Sequence, residues 1–82
     1  MTDSGQNIVD SCGRGTVRYI PIEGGFYGIE GDDAVNYDPV NLPHEFQKEG
    51  LRIEFVYREG DDLITFHMWG KVIEILSVKE IK

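Results

Sequence analysis

The chain's 82 residues are enough for one domain and too few for two. A formal charge of -7, from 15 acidic and 8 basic side chains, disfavours loose electrostatic binding to nucleic acid or anionic lipid. Cys12 is the only cysteine, which excludes an intrachain disulfide, and no apolar run reaches the roughly 18 residues of a membrane-spanning helix.

Residues 1–13 are polar apart from Ile8 and Val9, and read as a flexible tail preceding a single domain over 14–82. They carry neither a basic n-region nor an apolar h-region, so the expectation is a cytoplasmic protein without a signal peptide. Residues 15–22 read as the first strand. Val17 and Tyr19 share one face, Ile20 and Ile22 the other, which predicts a bulge or a strong bend near Tyr19 and Ile20. Gly24 and Gly25 permit the positive φ of a tight turn. The second strand spans 26–30, where Gly28 predicts a close approach by another part of the chain.

After a turn at Asp32 and Asp33, residues 34–38 read as a short third strand with Val35 and Tyr37 on one face. The period then changes. Asn41 as N-cap, Leu42 and Phe46 four apart, and Gly50 as C-terminal cap predict one or two turns of helix. Residues 51–58 alternate cleanly, with Leu51, Ile53, Phe55 and Tyr57 on one face. Another strand is expected over 63–69, with Ile64, Phe66 and Met68 opposite Leu63, Thr65, His67 and Trp69. The β-branched richness of 72–81 predicts a last strand. Three strands, a short helix and two or three more strands imply an all-β, mostly antiparallel, OB-like barrel of five to six strands; a rolled SH3-like barrel is the alternative.

The first hairpin resembles a cold-shock domain. That family opens Gly-Thr-Val-Lys-Trp-Phe and continues Lys-Gly-Phe-Gly-Phe-Ile after a turn. Here Gly15 to Ile20 and Gly24 to Ile29 align with those two segments without a gap, Tyr19 standing for the stacking tryptophan and Phe26 for the first phenylalanine. The motif lysine is replaced by Gly24 and the second phenylalanine by Gly28. The family's second motif, Val-Phe-Val-His-Phe, is absent from Ala34 to Asp38. The resemblance implies an OB-like topology and, as an alternative function, single-stranded nucleic-acid binding. The whole chain also resembles a group of short prokaryotic proteins of unknown function that join Gly-Gly-Phe-Tyr-Gly-Ile, Asn-Leu-Pro and Met-Trp-Gly. The matching segments are Gly24 to Ile29, Asn41 to Pro43 and Met68 to Gly70.

No catalytic set is legible. Ser11, Ser77, Thr16 and Thr65 lack an activating motif, and the glycines form neither a dinucleotide-binding nor a phosphate-binding loop. His44, His67 and Cys12 lack the paired spacing of a zinc site. Asp32-Asp33 and Asp61-Asp62 fit no calcium loop and read as solvated turn residues. No catalytic residue, metal or cofactor is therefore expected. The density of aromatics instead predicts a binding module that uses Arg18, Tyr19, Phe26, Tyr27 and Trp69 on one barrel face. Protein or peptide is the expected partner, single-stranded nucleic acid the alternative, and no membrane is involved.

Overall fold

The computed structural model describes residues 10–82. Five strands form a closed barrel: β1 (Ser11–Ile20), β2 (Phe26–Gly31), β3 (Asn36–Pro39), β4 (Arg52–Arg58) and β5 (Lys71–Glu80), in the order β1-β2-β3-β5-β4. β3 and β5 run parallel, and every other pairing is antiparallel. Among the described residues, no helix is long and apolar enough to cross a membrane.

Closure depends on the length of β1. Its first half pairs with β4 (Ser11 opposite Tyr57) and its second half with β2 (Ile20 opposite Phe26), while Gly15 and Thr16 pair on both sides. Ser11, Cys12 and Gly13 are thus strand residues, not part of a tail; the rest of the expected tail, residues 1–9, lies outside the described residues. Polar composition hid this stretch, because its stability comes from ladder bonds to β4 and not from its own side chains.

The inward residues of the strands meet in one core: Val17, Ile29, Tyr37, Ile53, Phe55, Tyr57, Ile73 and Ile75, closed at one end by Leu42. The rings of Tyr37, Phe55 and Tyr57 lie 5.2–5.6 Å apart. The alternation read in 51–58 is the burial pattern of β4. Of the two alternatives near Tyr19 and Ile20, β1 has no bulge, since it pairs with β2 in unbroken register from Gly15 to Ile20. The register shift falls between Val56 and Tyr57, opposite β5. Tyr19 keeps the parity of the inward Val17 but is 48 % exposed, while Ile20 is half-buried and Ile22 lies past the end of the strand and is exposed, so the apparent change of face is not a change of burial.

Two further expectations change. The helix reduces to a single 3₁₀ turn, His44–Phe46. Asn41 does not cap it: its Oδ1 accepts the Ile75 N–H at 2.7 Å, and its Nδ2 donates to the Ile75 carbonyl at 3.0 Å. A side-chain amide carries both a donor and an acceptor, so Asn41 replaces a strand residue where β3 has ended. The strand expected over 63–69 is a loop. β5 already fills the place beside β3 and β4, and a closed barrel offers no further edge.

Candidate functional site

Residues 59–70, between β4 and β5, form a strap across the outer face of β2 and β3. Ile29 and Tyr37 point into the core, so strand alternation turns Phe26, Gly28 and Asp38 outward. The strap covers all three. The indole of Trp69 lies directly on Gly28, where any Cβ would overlap it; this is the close approach expected from a glycine in mid-strand. Trp69 meets Phe26 edge to face at 5.6 Å. The His67 imidazole stacks flat on the other side of this cluster, its centroid 3.6 Å from that of Phe26 and the planes parallel within 1°.

Asp38 is the polar centre of this contact and is only 1 % exposed. Its Oδ2 accepts the Thr65 hydroxyl at 2.7 Å and faces His67 Nδ1 at 2.8 Å, as an Nδ1–H donor to a carboxylate would. Its Oδ1 has no partner among the described residues. A buried carboxylate is costly unless hydrogen-bonded, so the barrel holds the strap by two polar bonds in addition to the aromatic packing.

Anchoring one side of the strap exposes the other. Leu63, Thr65, His67 and Trp69 are half-buried, whereas Ile64, Phe66 and Met68 are 72 %, 85 % and 97 % exposed. Met68 also adopts a positive φ of 51°, an uncommon conformation for a residue with a side chain. The period-two pattern read in 63–69 is thus real, but it belongs to a docked loop. Its exposed apolar row was not singled out from the sequence, because the same alternation in a strand would have buried one face.

The residues expected to form one site fall into two groups. Phe26 and Trp69 belong to the strap cluster. Tyr19 and Tyr27 are a directly opposed cross-strand pair with rings 5.3 Å apart. They line a shallow groove of about 300 Å³ with Phe26, Pro39, Val40 and Gln47. Arg18 is not a free cation: Glu30 lies 3.1 Å from its Nε, and Glu49 2.8 Å from its Nη1. Asp38, Thr65, His67, Ile64, Phe66 and Met68 are the residues that the reading of the site missed. The one available signal was the His67/Trp69 alternation, which by itself does not reveal Asp38 as its acceptor.

The aspartate pairs are not merely solvated. Asp32 makes a two-pronged contact with Arg52, both bonds 2.7 Å, and the guanidinium holds its carboxyl below the usual range. Asp33 accepts the Tyr37 hydroxyl at 2.7 Å and the Val35 N–H at 3.1 Å, and these bonds depress it likewise. Burial and the Asp33 contact push the Tyr37 phenol upward. Asp62 is lowered by Arg58.

An imidazole held through Nδ1 has the orientation that acid–base chemistry uses. Among the described residues, however, no hydroxyl or thiol bonds to the His67 ring, and Thr65 donates to Asp38 instead. Among the described residues no group of three or more His, Cys, Asp or Glu side chains is placed to hold a metal ion. No protein-family model, curated protein or solved structure matches this chain.

Proposed function

We propose that this chain is a non-catalytic binding module whose outer aromatic face, built by the strap over β2 and β3, takes a protein or peptide. The observation that carries this reading is the row Ile64, Phe66 and Met68, 72–97 % exposed on a segment whose alternate side chains are fixed to the barrel. Contiguous exposed apolar side chains on an anchored scaffold are a feature of interaction surfaces. The strand order and parallel β3–β5 closure accord with an OB-type barrel, in which the face of strands 2 and 3 and the neighbouring loops bind ligands.

Two features weigh against nucleic acid as the ligand. Of the two aromatics that match the cold-shock stacking positions, Phe26 has a face covered by His67, which leaves Tyr19 alone at 48 % exposure for stacking there. Phosphate tracking needs available cations, and Arg14, Arg18, Arg52, Arg58, Lys71 and Lys79 each already pair with a carboxylate.

A photo-crosslinking amino acid placed at Phe66, in cells producing the chain, tests the reading. The expected result is a covalent protein adduct from position 66 and none from position 79 on β5. An adduct to nucleic acid, or no adduct from position 66, would overturn it.

A further inference from the structure

We infer that the strap docks a cationic segment with apolar anchors; this rests on the protein-binding reading and names the chemistry of the partner. Residues 59–70 contain Glu59, Asp61 and Asp62 and neither lysine nor arginine. Arg58 and Lys71 flank the strap, but Arg58 bridges Asp62 and Glu74, and Lys71 bridges Glu59. Asp61, three residues before the exposed row, has no such bridge among the described residues.

The imbalance extends over the domain. Only Lys48 and Lys82 remain as cations without an ion pair among the described residues, against Asp10, Glu23, Asp33, Glu45, Asp61 and Glu80 as unbridged carboxylates. An anionic segment would therefore approach uncompensated negative charge, and a cationic one would be drawn in. The apolar row fixes the other half of the preference. From Ile64 to Met68 an extended chain spans up to about 13 Å, which matches two to three turns of an amphipathic helix. Met68, unbranched and 97 % exposed, can adapt to the side chains it meets. The negative field also disfavours anionic membrane surfaces, which separates this partner from a lipid headgroup layer.

The test uses the full chain and three model peptides of about 14 residues: one amphipathic and built from Lys and Leu, its Glu/Leu counterpart, and a Lys/Gly peptide with the charge but no anchors. Binding is read from Ile64 and Met68 methyl resonances and Trp69 fluorescence. The expected result is saturable binding of the Lys/Leu peptide, at least roughly tenfold tighter than either control and weaker at high salt. Phe66→Ser should weaken it about tenfold while leaving the unfolding midpoint in place. Equal binding of the Glu/Leu peptide, no shifts at Ile64 and Met68, or unchanged affinity in Phe66→Ser would overturn the inference. So would self-association or binding to neutral lipid vesicles that disappears in Phe66→Ser, since the row would then serve a second copy or a membrane. The crosslinking result at position 66 judges the broader protein-binding reading separately.

Discussion

Asp38 on β3 and His67 on the strap meet at 2.8 Å, a carboxylate 1 % exposed against an imidazole that lies flat on Phe26. Twenty-nine residues separate them in the chain. The contact joins the barrel to the segment that displays the apolar row Ile64, Phe66 and Met68, so the strength of the latch sets how firmly that row is presented. In Asp38→Ala the Thr65 hydroxyl and the His67 Nδ1–H lose their acceptor. Losing a charged acceptor of two hydrogen bonds costs about 1–3 kcal/mol. Amide exchange should accelerate across 63–69 more than in β4, and Trp69 emission should shift to the red. Unchanged exchange in the strap would show that aromatic packing alone holds it.

Gly28 offers a second way to loosen the same contact without touching charge. Gly28→Ala places a methyl group inside the Trp69 indole, while the β2 backbone can accept alanine because its φ is not in the left-handed region. Overpacking of this kind costs about 1–3 kcal/mol. The expected outcome is a displaced Trp69, seen as loss of its ring-current shifts on Phe26, with the β1–β2 amide pattern retained. A spectrum with Trp69 and Phe26 unmoved would contradict the packing described.

The two-sided bond of Asn41 to Ile75 predicts a stability effect remote from the strap. Asn41→Ala should lower unfolding stability by about 1–2 kcal/mol, since two partly buried hydrogen bonds are lost and the Ile75 N–H and C=O are left without the partner that Asn41 supplies past the end of β3. Asn41→Asp keeps the acceptor and loses the donor, so it should fall between the two. Denaturant midpoints check this, and equal midpoints for Asn41→Ala and the parent chain would rule it out.

Acid should destabilise the fold. The Glu49 carboxylate accepts the Tyr19 N–H at 2.7 Å and an Arg18 Nη1–H at 2.8 Å, and these contacts hold it below its ordinary value of 4.5. Asp33, bonded to Tyr37 and Val35, lies below its ordinary 3.8. A carboxyl lowered by folding binds its proton more readily in the unfolded chain. Its contribution is therefore present above the ordinary value and is lost as the pH falls through the folded one. Thermal midpoints should be flat above about pH 5 and fall progressively below about pH 4. Glu49→Gln should reduce that slope. A midpoint that rises on acidification would have the wrong sign for these contacts.

Much of the barrel was legible in the residues. The alternation of Ile53, Phe55 and Tyr57 reports a half-buried strand, and Gly24 and Gly25 take the positive φ their turn requires. These are local properties, set by period and by backbone sterics. The site was legible only in fragments. Phe26 and Trp69 were singled out as aromatics and do share a cluster, but Arg18, expected beside them on the binding face, is held by Glu30 and Glu49, residues 12 and 31 positions away. Charge composition does not reveal which ions are paired, because pairing depends on which strands become neighbours.

By itself, the sequence determined the all-β class, four of the strand positions nearly to the residue, and the alternation that buries Ile53, Phe55 and Tyr57, because side-chain period and turn chemistry act over a few residues. Only the tertiary structure decided the fate of 63–69. The same alternation of apolar residues suits a strand in a sheet or an extended loop on its outside. Closure of the barrel by the parallel β3–β5 pairing removed the edge that a sixth strand would need. The segment was left to dock through Thr65, His67 and Trp69 on Asp38, Phe26 and Gly28, and its apolar row was turned toward solvent.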